Sequence, residues 1–157
     1  MKSKVSLSRY SLILTALLYG LLFVGCIVTV HEEVAFFILL SIYVVLILFG
    51  LMCGVAYIKV DSGYIWMCSI LRSKKIPVGN VESVELFQPT MGAIRIVGSG
   101  GFMGYWGIFR EGDIGRYYAF YGKSSECFLV RMKNGDKYVL GCDRPDVMAD
   151  YIKAHMK

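Results

Sequence analysis

The sequence predicts a membrane hairpin of two α-helices, followed by a mainly β domain that closes with one α-helix. The first observation is the charge distribution, since between residues 10 and 58 the only formally charged side chains are Glu32 and Glu33. The second is the change at Lys59, after which short β-like runs alternate with turn residues. The composition agrees, because 56% hydrophobic and 18% charged residues depart from the soluble averages.

The two predicted spans cover residues 10–30 and 34–58. The first reaches about 31 Å at a helical rise of 1.5 Å per residue, which matches the hydrocarbon thickness. The second is longer, so it must tilt or end outside the bilayer. Residues 31–33 alone connect the spans and allow only a tight antiparallel hairpin. A soluble core is disfavoured because nearly every face of both spans is apolar.

Basic residues flank the hairpin at both ends, whereas its connecting loop carries only acidic charge. The flanking residues are Lys2, Lys4, Arg9, Lys59, Arg72, Lys74 and Lys75. Positively charged flanks stay on the cytoplasmic side of a membrane, so we expect both termini to be cytoplasmic. The chain then divides into residues 1–58, the N-terminal tail and hairpin, and residues 59–157, a cytoplasmic domain.

Two features of the spans admit alternatives. Residues 23–26, Phe-Val-Gly-Cys, are similar to a lipoprotein cleavage site, but the apolar run continues past Cys26 as a spanning helix would. Gly50 and Gly54 are spaced as a GxxxG motif, which lets helix backbones approach closely. We favour a spanning helix over lipidation at Cys26, and packing within the hairpin over dimerisation for the glycine motif.

The segment after Lys59 predicts about seven strands and one helix. The β-like runs include residues 57–60, 64–70, 75–78, 81–87, 93–97, 117–121, 127–132 and 137–142. Two turn signals separate paired runs, one at residues 61–63 and an Asn-Gly turn at residues 133–136. Residues 143–146 supply an N-cap and an early proline for the last helix. Because strands do not alternate with helices, a parallel α/β fold is disfavoured.

Several stretches, in order along the chain, carry a family resemblance. They are Ile76-Pro77 with Val81 and Val84, Arg95-Ile96, Gly98-Ser99-Gly100-Gly101, Gly104-Tyr105-Trp106-Gly107-Ile108-Phe109, Gly115 with residues 117–121, Asn134-Gly135, and Asp143-Arg144-Pro145. This order resembles the bacterial pleckstrin-homology (PH) domain proteins of the membrane-anchored kind, with a transmembrane hairpin before the domain. The resemblance implies a bent, seven-stranded antiparallel sandwich or barrel, closed at one end by the C-terminal helix, in the bacterial inner membrane. PH-like folds bind peptides, lipids or copies of themselves, so the ligand stays open.

Residues 98–107 are rich in glycine and interleaved with large apolar side chains. The stretch is neither a P-loop nor a dinucleotide fingerprint, because no GK[ST] follows and no βαβ unit surrounds it. A mobile apolar loop would be costly in water, so it folds onto the domain or meets the bilayer or a partner. The candidate interaction loop comprises Phe102, Met103, Tyr105, Trp106 and Phe109.

A basic cluster, Arg72, Lys74 and Lys75, follows the second predicted strand. Near an anionic leaflet each residue could contribute on the order of 1 kcal/mol to membrane binding. The cluster is therefore either topogenic charge on a solvated turn or a contact to lipid head groups. From Lys59 onward 14 basic residues accompany 10 acidic ones. This spread-out excess does not form the basic stripe of a nucleic-acid-binding protein.

No catalytic, cofactor or metal site is predicted. The five cysteines show no CxxC spacing or Cys/His cluster, and His31 and His155 are expected on opposite sides of the membrane. The carboxylates form no recognisable acid–base pair. We therefore expect a membrane-tethered interaction module that binds a protein partner or its own copies. The alternative is an anionic-lipid head-group sensor, and a small membrane enzyme is a remote third.

Overall fold

The computed structural model describes residues 1–90 and 92–156, which contain three α-helices and ten β-strands. The helices are α1 (Arg9–Val28), α2 (Glu33–Cys53) and α3 (Pro145–His155). The strands are β1 (Lys2–Lys4), β2 (Tyr57–Val60), β3 (Tyr64–Cys68), β4 (Ser73–Pro77), β5 (Val81–Leu86), β6 (Ile94–Gly101), β7 (Gly104–Glu111), β8 (Gly115–Tyr121), β9 (Cys127–Met132) and β10 (Lys137–Gly141). The predicted order of hairpin, strands and final helix is confirmed.

Helices α1 and α2 form the predicted membrane hairpin. They contain 20 and 21 residues, and a rise of about 1.5 Å per residue makes each long enough to cross a hydrocarbon core. Their buried residues are Ser11, Thr15, Cys26 and Gly50. The large apolar side chains therefore point outward on most faces, which suits lipid and would be costly in water. Ser8 begins α1, since its hydroxyl accepts the Ser11 amide at 3.1 Å.

Helix α2 ends at Cys53 rather than at residue 58, where the apolar run ends. Gly54 leaves the helix with φ −59° and ψ 142°. The next amide, that of Val55, donates to the Met103 carbonyl at 3.1 Å instead of continuing the helical pattern. The last apolar residues of the predicted span therefore enter β2, because a contact distant in sequence ends the helix.

The strands form two sheets that share one core. The first sheet has the order β1-β2-β3-β4, and the second has the order β5-β9-β10-β8-β7-β6. Strands β8 and β10 run parallel, and the other recorded pairs are antiparallel. Two strands exceed the expectation, namely β1 in the N-terminal tail and β7 in the glycine-rich stretch. The two open sheets and the final helix fit a PH-like sandwich.

The N-terminal tail is part of the first sheet. Strand β1 pairs with β2, and Ser3 lies opposite Ile58. The Val5 amide donates to the Ala56 carbonyl at 3.0 Å, and the Ser6 hydroxyl donates to the Asp143 carboxylate at 2.5 Å. Because β1 precedes the helical hairpin and β2 follows it, both ends of the hairpin lie against the same domain.

The main core lies between the sheets and under α3. Its fully buried members from the first sheet include Ile58 and Ile65, and those from the second include Phe128 and Leu140. Helix α3 contributes Met148, Ala149 and Ile152, and it packs on β5 and β9. Burying one such aliphatic or aromatic side chain stabilises a fold by about 1.5–3 kcal/mol. The last helix thus closes the sandwich, as the sequence predicted.

Candidate functional site at the membrane junction

The glycine-rich stretch forms a β-hairpin rather than a loop. Strands β6 and β7 pair from Ile94 opposite Arg110 to Gly101 opposite Gly104. Phe102 and Met103 occupy the turn, and Met103 has a positive φ of 53°. We call this pair of residues the docked turn, because it packs against the membrane hairpin of the same chain.

Two hydrogen bonds join the docked turn to α1 and to the segment that follows α2. The Met103 amide donates to the Thr15 hydroxyl at 3.0 Å, and the Met103 carbonyl accepts the Val55 amide at 3.1 Å. Thr15 is 9% exposed and its hydroxyl in turn donates to the Ser11 carbonyl at 2.7 Å. The backbone amide and carbonyl of Met103 are therefore both satisfied by residues at the ends of the membrane hairpin.

The glycine motif of α2 makes room for the docked turn. A Cβ atom added to Gly50 would lie 2.7 Å from the Tyr19 hydroxyl and 3.4 Å from both Phe102 and Met103. A Cβ atom added to Gly54 would lie 2.9 Å from the Met103 Cβ. The Phe102 ring also meets the Tyr19 ring edge-on at 5.6 Å. The two glycines thus leave space for the docked turn of the domain as well as for Tyr19 of the neighbouring helix.

The other three residues of the candidate interaction loop lie in β7. Tyr105 stacks on Tyr121 with ring centroids 4.9 Å apart. The Trp106 indole donates to the Phe102 carbonyl at 3.0 Å and meets the Phe49 ring of α2 at 5.4 Å. Phe109 is 4% exposed and stacks on Tyr117 in a second core cluster. These side chains support the hairpin and its contact with α2, and Phe109 is enclosed by the domain.

A cavity of about 260 Å³ lies between the end of α2 and the two sheets. Met52 and Cys53 border it from the helix, while Trp106 and Phe120 supply apolar walls. Arg72 and Lys74 bring two cations to the same cavity. We call it the junction cavity, because it combines the edge of the membrane hairpin with the basic turn of the domain.

The predicted basic cluster divides between two surfaces. Lys74 and Lys75 are neighbours in β4, where successive side chains point to opposite faces. The Lys74 ammonium lies 4.5 Å from the Tyr118 ring centroid and 5.2 Å from that of Tyr138. The Lys75 ammonium instead lies 4.9 Å from the ring centroid of Tyr64. Only Arg72 and Lys74 therefore share the junction cavity.

The electrostatics of the junction cavity favour an anion. Burial lowers the pKa of Lys74, Asp136 partly opposes this effect, and the Arg72 cation lowers the pKa further. Within residues 1–90 and 92–156, neither Arg72 nor Lys74 forms a salt bridge; the pairs found there are Lys123–Glu126, Arg131–Glu85 and Lys153–Asp150. Arg72 and Lys74 are thus two exposed cations at one cavity. Asp136 is close enough to raise the pKa of Lys74, but within the described residues it forms no salt bridge with either cation.

Sequence reasoning missed several residues of this junction. Thr15 could have been noticed as a polar residue inside an apolar span, but its partner Met103 is 88 residues away. Tyr118 belongs to an aromatic run whose alternation places it on the cavity side. In the described part of the chain, no group of three or more His, Cys, Asp or Glu residues could hold a metal ion.

The comparison with protein families agrees with this architecture. Residues 56–155 match the family described as Bacterial PH domain, which covers the region from just before β2 to the end of α3. No curated protein and no solved structure matches the chain significantly. Domains of this family are typically non-catalytic. The chain therefore belongs to the bacterial PH domain family, and it carries a hairpin of two apolar, membrane-length helices before that domain.

Proposed function

We propose that this protein is a membrane-tethered PH-like module that binds the head group of an anionic phospholipid in the junction cavity. The observation that carries the proposal is the pairing of Arg72 and Lys74 without a carboxylate partner, beside the last turn of α2. The Arg72 cation lowers the pKa of Lys74, so the two charges repel each other, and a bound phosphate would relieve that repulsion.

The position of the junction cavity favours a lipid as the source of the phosphate. Met52 and Cys53 belong to a helix that is long and apolar enough to span a bilayer. An anionic head group at the membrane surface therefore reaches the cavity without leaving its leaflet. The volume of about 260 Å³ suits a head group, whereas the acyl chains would remain in the bilayer.

Native mass spectrometry of the full chain in detergent tests the proposal. We expect retention of added phosphatidylglycerol and little retention of phosphatidylcholine or of inorganic phosphate. Lys74→Ala should weaken the retention about tenfold or more, because a charge-assisted hydrogen bond contributes about 1.5–3 kcal/mol. Lys75→Ala is the matched control, since it removes the same charge from the adjacent residue on the other face of β4. If both variants retained phosphatidylglycerol equally poorly, the general positive charge of the surface would explain the binding, and this result would contradict the proposal.

The lowered pKa of Lys74 predicts an alkaline limit to binding. Partial desolvation and the Arg72 cation lower the pKa of Lys74 despite the opposing effect of Asp136, so the Lys74 cation disappears at a lower pH than that of an unperturbed lysine. We expect phosphatidylglycerol retention to decline on the alkaline side. Lys74→Arg should extend retention to higher pH, because a guanidinium stays protonated. An identical alkaline limit for both proteins would show that Lys74 does not supply the charge.

A second candidate function is binding of a protein partner or of another copy of the chain. Strand β6 lies at an edge of the second sheet, and its side chains Ile94, Ile96 and Val97 are 67%, 51% and 62% exposed. An apolar edge strand can pair with a further strand. This candidate predicts an oligomer, or a co-purifying membrane protein, that Ile96→Lys abolishes. A strictly monomeric chain without partners would count against it.

We also propose how the chain is oriented in the membrane and which residues form its anchor. The basic flanks of the hairpin support an inner-membrane protein with both termini in the cytoplasm. The pairing of β1 with β2 supports placing the N-terminal tail with the domain, so we propose residues 9–53 as the anchor and the remainder as the cytoplasmic module. Labelling of Ser62→Cys and of His31→Cys from either side of sealed vesicles checks the orientation. The proposal requires that the two sites react from opposite sides.

A further inference from the structure

The turn between β3 and β4 is apolar although it projects from the domain. It comprises residues 69–72 and is closed by the Ser69 amide donating to the Arg72 carbonyl at 2.7 Å. At its tip, Ile70 is 63% exposed and Leu71 is 59% exposed. Turn tips in water favour Gly, Asn, Asp and Ser. The turn at the other end of β3, residues 61–63, follows that rule with Asp-Ser-Gly. We call Ile70 and Leu71 the outward turn.

A backbone hydrogen bond fixes the outward turn beside the membrane helix. The Leu71 amide donates to the Leu51 carbonyl at 3.1 Å. This carbonyl is one of the last four of α2, which lack a partner within the helix. Leu51 lies two residues before the end of α2, or about 3 Å along the helix axis. The outward turn is thus level with the final turn of α2.

The neighbouring face of α2 is also apolar and exposed. Leu48, Phe49 and Met52 are 49%, 47% and 44% exposed. Phe49 also meets Trp106 and Met52 borders the junction cavity, but the exposed parts of all three side chains contact lipid in a spanning helix. The outward turn continues this surface beyond the end of the helix. Its closest environment is therefore the boundary between the hydrocarbon and the head groups of the leaflet on the domain side.

We infer that Ile70 and Leu71 insert into this leaflet and form a second membrane contact of the domain, separate from the two helices. The occupant is lipid rather than protein, because the turn extends the lipid-facing surface of α2 and is bonded to its last turn. The inference does not depend on whether the junction cavity holds a head group.

Site-specific photo-crosslinking of the full chain in lipid nanodiscs tests the inference. A photoreactive phenylalanine analogue replaces Ile70 or Leu71 in one set of variants, and Ile94 or Ser62 in the control set. Ile94 is a matched control because it is 67% exposed and lies at the end of β6 that is far from the docked turn. We expect phospholipid adducts at both positions of the outward turn and none at the controls. Adducts to protein, no lipid adduct at Ile70 and Leu71, or equal lipid yields at all four positions would overturn the inference.

Thiol labelling provides a second readout that needs only a small substitution. Ile70→Cys in nanodiscs should react with a water-soluble maleimide at least about tenfold more slowly than Ser62→Cys, because an apolar environment disfavours the reactive thiolate. Both turns are exposed on the protein itself, so protein burial does not explain such a difference. Equal rates in nanodiscs would contradict insertion of the outward turn.

Discussion

The docked turn and the outward turn present similar chemistry to the same end of α2, but they meet different environments. Phe102 and Met103 pack against both helices, and their backbone bonds to Thr15 and Val55. The outward turn instead bonds to Leu51 through the Leu71 amide, and the side chains of Ile70 and Leu71 stay more than half exposed. The docked turn therefore contributes to the stability of the folded chain. The outward turn contributes to how the domain sits on the bilayer.

The difference arises from what lies opposite each turn. Gly50 and Gly54 leave a recess in α2 that the docked turn fills. The side chains of the outward turn fill no such recess, since Ile70 and Leu71 stay 63% and 59% exposed. Complementary packing stabilises the folded chain through dispersion contacts. An exposed apolar turn is stabilised only if lipid covers it. Substitutions should consequently affect folding at the docked turn and membrane contact at the outward turn.

Gly104→Ala is expected to have the largest effect on stability. Gly104 has φ +99°, a conformation that residues with a Cβ atom adopt at a cost, and its added methyl group would overlap the Val55 side chain. Strain and overpacking together should lower the free energy of unfolding by roughly 2–4 kcal/mol. Thermal unfolding of the full chain in detergent measures this change.

Gly112→Ala is the matched control for that substitution. An added Cβ atom at Gly112 meets no atom within 4 Å. We expect a change within about 0.5 kcal/mol, as for ordinary surface substitutions. Equal destabilisation by the two alanines would mean that the close packing of Gly104, the residue after the docked turn, against Val55 contributes nothing special to the fold.

Thr15→Val should have a smaller but clear effect. The substitution keeps the shape of the side chain and removes the oxygen that accepts the Met103 amide. A buried donor left without a partner costs about 1–3 kcal/mol. Thr29→Val is the control, because the Thr29 hydroxyl bonds only to the Gly25 carbonyl at the far end of α1. Chemical denaturation of the full chain should separate the variants, and similar losses would contradict the role of Thr15.

Ile70→Ser combined with Leu71→Ser should have the smallest effect on stability in detergent. Both side chains are already exposed, so we expect the free energy of unfolding to change by about 0.5 kcal/mol or less. A loss as large as that of Thr15→Val would show that the protein, rather than lipid, covers the outward turn. Unfolding in detergent thus measures how each turn contributes to stability, and crosslinking in nanodiscs measures whether the outward turn contacts lipid.

Local patterns were sufficient for much of this fold. The scarcity of charged residues between residues 10 and 58, where only Glu32 and Glu33 are charged, indicated the hairpin. The Asn-Gly sequence at Asn134 indicated the turn between β9 and β10, and Pro145 indicated the start of α3. Each signal acts through neighbouring residues, as helix insertion, turn geometry and capping do. The family resemblance supplied the sandwich architecture that these signals alone left open.

Contacts between distant residues explain what the sequence did not reveal. Strand β1 has three residues, and only its pairing with β2 across the whole hairpin makes it a strand. Strand β7 was obscured by its glycines, which allow close backbone approach and a tight turn. The division of Lys74 from Lys75 follows from strand alternation, but the start of β4 was needed to show which lysine faces the junction cavity.

Amide hydrogen exchange of the full chain in lipid nanodiscs tests the central claim that two apolar turns hold the domain on its anchor. The account predicts slow exchange at Val55, Leu71 and Met103, whose amides bond across the junction. Their rates should be at least about 100-fold below those of Ser62 and Gly63 in the water-facing turn, after correction for intrinsic rates. Exchange at Met103 and Leu71 as fast as at Ser62 would contradict the account.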